Sequence, residues 1–234
     1  MPLNLMVGGQ MTEHVPKIVN PNTGQLVDPE QLAIWDGTKF VRVWPPAQQG
    51  VAYTDPLDSL AAFTQTSTGS GVVISNGEAA WTGSNNGEAT VLYNQAAQTD
   101  DQYVRGTVGS NTRNDRASGL IMHCGATLDS WYGVLVESDR LTLVSGYGRW
   151  LQDTLPTYGQ YTGSVSTGDV IELWNKGTTF YVTQNGTTRL SVPIPGIAFS
   201  ADRRRQGFGM YRTAFFSSGR WADWAGGDAK AFGK

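Results

Sequence analysis

An all-β fold, an antiparallel sandwich or barrel, is what this 234-residue sequence predicts. Three observations predict it. Glycine is abundant at 29 residues, charged residues make up only 16%, and there are 8 Trp and 9 Tyr, a profile of strands and turns and not of a helical bundle. Short apolar runs recur along the chain with Asn-Gly and Lys-Gly pairs between them, the residues that tight hairpin turns favour. No segment carries a capped 3.6-residue period, and "DPEQLAIW" offers at most one helical turn.

The elements follow in order. The first 48 residues hold short apolar clusters separated by Gly-Gly, Asn-Pro-Asn-Thr-Gly and Asp-Pro. A stretch of about 40 residues normally needs a staple or a partner to be stable. Within it, "LAIWDGTKFVRVWPP" reads as a hairpin that turns at Asp36-Gly37 and stops at Pro45-Pro46, because proline cannot donate to a ladder. An isolated hairpin is marginal in water, so this one is expected to rest on something else. Trp35, Phe40, Val43 and Trp44 are its candidate docking residues. The division is therefore an extended N-terminal arm, 1–48, and a β domain, 49–234, with Gln48-Gln49-Gly50 at the join.

From Val51 the pattern is strand, turn, strand. "SGVVISNGEAAWTG" turns at Asn76-Gly77, and "EATVLYNQA" and "DQYVRGTVG" follow as strands. "ASGLIMHCGAT" is a strand in which strict alternation puts Ile121 and His123 on one face and Leu120, Met122 and Cys124 on the other. "WYGVLVESDRLTLVSG" is a hairpin turning at Ser138-Asp139. "DVIELWNKGTTFYVTQNGTTRLSV" supplies three strands with turns at Lys176-Gly177 and Asn185-Gly186. "RQGFGMYRTAFF" and "RWADWAGGD" close the domain, for about ten to twelve strands in all.

Several function classes are disfavoured. A net charge of −3 does not suit a nucleic-acid binder, and one cysteine, Cys124, makes no internal disulfide framework. No run of about 18 apolar residues predicts a membrane span, and "MPLNLMVGGQM" lacks the basic and apolar regions of a signal peptide.

The ordered series "TDPLDSLAAFTQ", "AAWTG", "LYNQAAQTDDQYVRGTV", "GLIMHCG", "WYGVLVE", "GDVIELWNKGTTFYVTQNGTTRLSV" and "RWADWAGGD" resembles the concanavalin-like jelly-roll domains, over about 180 residues from Tyr53 to Asp228. It is most similar to the versions in minor tail proteins of actinobacterial bacteriophages. "LMVGGQMTEHVPKIV" and "WDGTKFVRV" look like the extended modules that begin such proteins. The resemblance implies a jelly-roll β-sandwich whose first and last strands pair. It also implies a virion location on the phage tail, and docking to other tail proteins through the arm. Contact with host cell-wall glycan is a further implication. Phage fibre-like proteins are often trimers, so the resemblance leaves a homo-oligomer, a trimer included, open as an expectation, although nothing here encodes a coiled coil. Two other readings stand beside the lectin-like one: a glycoside hydrolase of laminarinase type with a degenerate motif, and a purely structural tail decoration or scaffold.

The hydrolases of this fold carry E-x-D-x-x-E on one strand, a nucleophile and an acid facing the same way. Here "VESDRLTL" offers Glu137 and Asp139, but Thr142 stands in the third position, so no enzyme is expected and the two carboxylates read as solvated hairpin residues. His123 has no accompanying G-x-S-x-G elbow, and with Cys124 beside it lacks metal-ligand spacing. No cofactor is expected. Calcium is the one ion left open, since Asp55, Asp58, Asp100 and Asp101 could meet in space, though no D-x-D-x-D-G loop is present. Arg203, Arg204 and Arg205 form either an anion-binding patch or a solvated loop. The most suggestive stretch is "SGYGRWLQDTLPTYGQYTGS", Ser145 to Ser164, read as an aromatic loop. Its candidate glycan contacts are Tyr147, Arg149, Trp150, Asp153, Tyr158 and Tyr161. Trp150 is the anticipated stacking anchor, and Arg149 and Asp153 the hydrogen-bonding groups.

Overall fold

The computed structural model describes residues 50–113, 115–151 and 156–234, and within the first 49 residues six strand backbones and residues 37–38. The chain divides into two units, Met1–Gln49 and Gly50–Lys234. The first contains three antiparallel pairs: β1 (Leu3–Val7) with β2 (Gln10–His14), β3 (Ile18–Val19) with β4 (Leu26–Val27), and β5 (Leu32–Trp35) with β6 (Phe40–Trp44). The β5–β6 pair is the hairpin anticipated around Asp36-Gly37. The side chains of Trp35, Phe40, Val43 and Trp44 lie outside the described residues.

The second unit is a jelly-roll β-sandwich. Its strands are β7 (Ala52–Asp55), β8 (Phe63–Ser67), β9 (Val72–Ser75), β10 (Glu78–Trp81), β11 (Gly87–Tyr93), β12 (Gln102–Val108), β13 (Ser118–Cys124) and β14 (Trp131–Glu137). They continue as β15 (Arg140–Gly146), β16 (Thr157–Thr162), β17 (Val170–Lys176), β18 (Thr179–Gln184), β19 (Thr187–Pro193), β20 (Arg205–Thr213), β21 (Phe216–Ser217) and β22 (Trp221–Asp228). One eight-stranded sheet runs β19-β18-β17-β12-β22-β10-β9, with β7 also on β22; the other runs β16-β15-β14-β13-β20-β11-β8, with β21 on β20. The first and last strands of the unit, β7 and β22, pair antiparallel with Ala52 opposite Gly227.

The anticipated turns fall where the residue chemistry put them. Asn76 and Gly77 have φ of 55° and 73°, and Asn185 and Gly186 have 52° and 75°. Two successive positive φ values make the hairpin turn whose twist matches that of its strands. The two sheets hold sixteen strands (β7 to β22) where about ten to twelve were anticipated. The surplus is short, polar and at sheet edges: β8, for example, is buried only at Phe63. Such strands give no apolar run to read.

Alternate side chains of both sheets fill the interior. Leu120, Met122, Val134, Leu141, Leu143, Ile171, Leu173, Phe180 and Phe208 are buried there with Trp221 and Trp224. Trp224 stacks on Tyr93 at 4.9 Å and meets the edge of Phe63 at 5.4 Å. Asp228 closes the unit: its fully buried carboxylate accepts from the N–H groups of Val51, Gln98 and Thr99, at 2.7, 3.0 and 2.6 Å, and from the Thr99 hydroxyl.

A second, smaller core lies on the outer face of the β13–β14–β20 sheet. Leu92, Ile121, Cys124, Leu128, Trp131, Val144 and Trp150 form it. Cys124 belongs here, opposite to its anticipated face. The register of β13 against β20 shifts between Ile121 and Cys124, and His123 takes a φ of 52°. This bulge adds one residue to the alternation, so Cys124 joins Ile121 outside while His123 points between the sheets.

Candidate functional site

The bulge at His123 places a polar cluster at one end of the sandwich. Gln102 sits at the start of β12, Asn175 near the end of β17 and Gln206 near the start of β20. The side-chain N–H of Gln102 contacts His123 Nδ1 at 3.0 Å, and His123 Nε2 lies 3.0 Å from Asn175 Oδ1. Gln102 Oε1 accepts from the His123 backbone N–H and from Gln206 Nε2, both at 3.1 Å, which fixes its amide orientation. Nδ1 must therefore accept and Nε2 must donate, so the imidazole is neutral with its proton on Nε2. Burial pushes its pKa down to about 4. Both ring nitrogens are engaged, which leaves His123 neither a lone pair nor a proton for a substrate or a metal.

His123 also forms the floor of a cavity of about 260 Å³. Phe199 stacks on the imidazole at 4.5 Å, and Tyr132, Ser145, Ile197 and Arg203 line the walls. Burial raises the Tyr132 pKa, so its phenol keeps the proton. The Tyr158 hydroxyl lies 3.0 Å from Ser145 Oγ, which ties β16 to the wall. Arg203 is held by Asp129 at 2.7 Å. Among the described residues, no carboxylate lines this cavity. It offers one or two aromatic faces, several hydroxyls and one cation. Ligand pockets generally run from about 300 Å³ upward, so this one has room for a single ring-sized group.

The six anticipated glycan contacts disperse. The stretch Ser145 to Ser164 is not one loop, because β15 ends it at Gly146 and β16 occupies Thr157–Thr162. Tyr147, directly after the cavity-lining Gly146, is 57% exposed. Tyr158 is half-buried beside the cavity. Tyr161 is covered by the Arg189 guanidinium, 4.7 Å from its ring centre. Arg149 forms a 3.5 Å ion pair with Glu88. Asp153 lies outside the described residues. Trp150 overturns the expectation made of it: it is 0% exposed, buried in the second core. A sugar cannot stack on a ring already enclosed on the body's own sheet.

Other anticipated groups are also engaged. Glu137 is not solvated. Its side chain is 9% exposed, and Arg140 donates to both carboxylate oxygens, at 2.6 and 2.5 Å. Glu137→Gln is expected to cost about 1.5–3 kcal/mol, the weight of a charge-assisted hydrogen bond; urea denaturation showing a change under about 0.5 kcal/mol would contradict this. Arg203 and Arg204 are paired with Asp129 and Asp100, so the arginine run is a set of loop ties. Asp55 Oδ1 accepts from the Leu57 N–H, Asp100 pairs with Arg204, and Asp101 accepts from the Gly177 N–H. Among the described residues no three His, Cys, Asp or Glu groups gather as a metal site, so the four aspartates do not fit calcium together. Sequence reasoning missed Phe199, Arg203 and Tyr132 as cavity residues. Phe199 lies in "GIAFSADRRR", between strands, and nothing local announces that it will stack on His123.

No protein-family model and no curated sequence matches the chain. Solved structures do. The Emp46p carbohydrate recognition domain superposes in its metal-free and potassium-bound forms with a TM-score of 0.50. Each is 10% identical, over 71% of this chain and 88% of that one. The carbohydrate binding module CBM66 from Bacillus subtilis superposes with a TM-score of 0.48 at 9% identity, over 71% of this chain and 92% of the other. At such identities the likeness is one of architecture, and the body of this chain shares the lectin-like jelly-roll fold.

Proposed function

We propose that this chain is a minor tail protein of a bacteriophage, in which residues 1–48 dock onto other tail proteins and the sandwich contacts host cell-wall glycan without hydrolysing it. The observation that carries the glycan reading is the cavity over His123. Its Phe199 and Tyr132 rings suit the C–H faces of a sugar, and Ser145, the Tyr132 phenol and Arg203 suit its hydroxyls. Supporting the non-enzymatic part, among the described residues no pair of carboxylates of the kind glycoside hydrolysis requires lines the cavity, and the Glu137 carboxylate is paired with Arg140. Supporting the tail part is the ordered motif series together with the character of the leader, as set out from the sequence. A lectin-like fold alone establishes no function.

Retention of the full chain on host cell walls tests this reading. Ala198 is exposed on the cavity rim, and Ala198→Trp fills the opening without touching the core. That variant is expected to lower retention at least tenfold, with unfolding free energy unchanged within about 0.5 kcal/mol. Tyr147→Ala is expected to weaken retention less. Absent retention, or retention indifferent to Ala198→Trp, sinks the cavity assignment, and release of reducing sugar ends would make the protein an enzyme.

A further inference from the structure

The cavity over His123 is one compartment of a longer groove. Two connections wall it: 125–130 between β13 and β14, and 194–204 between β19 and β20. Ser130, Ile197 and Phe199 of these connections line the first compartment. Ala126, Thr127, Ala201 and Asp202 of the same connections, with Arg205 at the start of β20, line a second one of about 510 Å³. The boundary is the Asp129–Arg203 ion pair. Arg203 lines the first compartment and Asp129 the second, with Nη2 and Oδ2 2.7 Å apart.

The second compartment carries polar groups that the fold does not use. Arg203 and Arg204 are both held by carboxylates. Among the described residues, the neighbouring Arg205 guanidinium has no hydrogen-bond or ion-pair partner, and neither has the Asp202 carboxylate. The two line one cleft and do not pair with each other. Their charges also select a ligand class. Asp129 is already paired, so the cleft presents one free cation and one free anion. Either kind of ion would be drawn to one of them and repelled by the other. A polyhydroxylated group can use both, because a hydroxyl donates to a carboxylate and accepts from a guanidinium. Ala96, Ala126 and Ala201 are small and exposed, and they leave the cleft open from outside.

We infer that the groove takes at least two consecutive rings of a glycan chain. The first lies over His123; the second lies beyond the Asp129–Arg203 bridge, where Asp202 and Arg205 bind its hydroxyls. This inference rests on the glycan reading of the His123 cavity and adds a length requirement to it. The first compartment, at about 260 Å³, has room for a single ring, and the second roughly doubles that room.

Titration of the full chain with soluble fragments of the host cell-wall glycan, separated by length and followed by NMR shift changes, tests it. Two-ring fragments are expected to bind about tenfold tighter than one-ring fragments, the gain from added hydrogen bonds to charged groups. Ala201→Trp, at an exposed position that lines only the second compartment, is expected to remove that advantage and leave one-ring binding unchanged. Asp202→Ala, also at an exposed position, is expected to reduce the advantage. Equal affinity for one-ring and two-ring fragments overturns the inference, as does a two-ring advantage that both variants leave untouched. In either case, one-ring binding that Ala198→Trp abolishes leaves the glycan reading standing. If no fragment of any length binds, both fall.

Discussion

Trp150→Ala is expected to destabilise the body by about 3–5 kcal/mol, the usual cost of removing a large buried aromatic. The indole has no exposed surface and lies against Trp131 with ring centres 5.2 Å apart. Its Nε1–H donates to the Ala117 carbonyl at 3.3 Å, and its backbone N–H donates to Thr90 Oγ1 at 2.8 Å. Two glycines on neighbouring strands form the floor beneath it. A Cβ built on Gly119 would stand 2.0 Å from the ring, and one on Gly209 would stand 2.2 Å away. No residue larger than glycine fits either position while the indole is in place. Truncation therefore leaves a cavity on the sheet surface and removes the hydrogen bond to Ala117. Trp150→Phe is expected to recover part of the loss, because it refills most of the volume but not the N–H donor. Denaturant unfolding at neutral pH gives the number. A melting temperature unchanged in Trp150→Ala would mean that the ring is not the plug described.

Mild acid is expected to weaken the protein through His123. In the unfolded chain this imidazole titrates near its ordinary 6.5; in the folded chain, burial among Gln102, Asn175, Phe180 and Phe199 lowers it to about 4. The hydrogen bond to Asn175 and, less, the Asp100 charge oppose the shift, and Arg204 adds to it. Between those values the unfolded state binds a proton that the folded state refuses, so stability rises with pH through this window. The contribution is complete above about pH 6.5 and is lost progressively as pH falls toward 4. A shift of that size corresponds to at most about 3 kcal/mol. Protonation would also set an Nδ1–H against the Gln102 Nε2–H donor, which cannot turn away while Oε1 is held by Gln206 and by the His123 N–H. Urea unfolding at pH 7.5, 5.5 and 4.5, compared between the wild type and His123→Leu, isolates the histidine from the carboxylates that titrate lower. The variant is expected to be weaker at pH 7.5 and flatter from 7.5 to 4.5. Equal slopes in the two proteins would rule the histidine out as the source.

The comparison of Trp150 with Asn185-Gly186 shows what could be read locally. A turn that needs two positive φ values selects Asn-Gly by itself, so the hairpins at Asn76-Gly77 and Asn185-Gly186 were legible without knowing anything distant. The same holds for the period-2 alternation of β17, where Ile171, Leu173 and Asn175 face inward, and for the all-β class that such strands impose. The hairpin after Glu137 was legible too, but not the burial of its carboxylate, which depends on Arg140 closing over it.

The site was not legible in this way. Whether Trp150 faces solvent or sheet depends on Gly119 and Gly209, residues 31 and 59 positions away that no periodicity connects to it. The bulge at His123 breaks alternation at one residue, and its cause is a set of partners on three other strands, Gln102, Asn175 and Gln206. By itself, then, the sequence determined the class of fold, its turns and the strands with strong alternation, because those rest on backbone geometry within a few residues. Only the tertiary structure decided which aromatics are buried, which carboxylates are paired and where a cavity opens, because each of these is set by side chains brought together from distant strands.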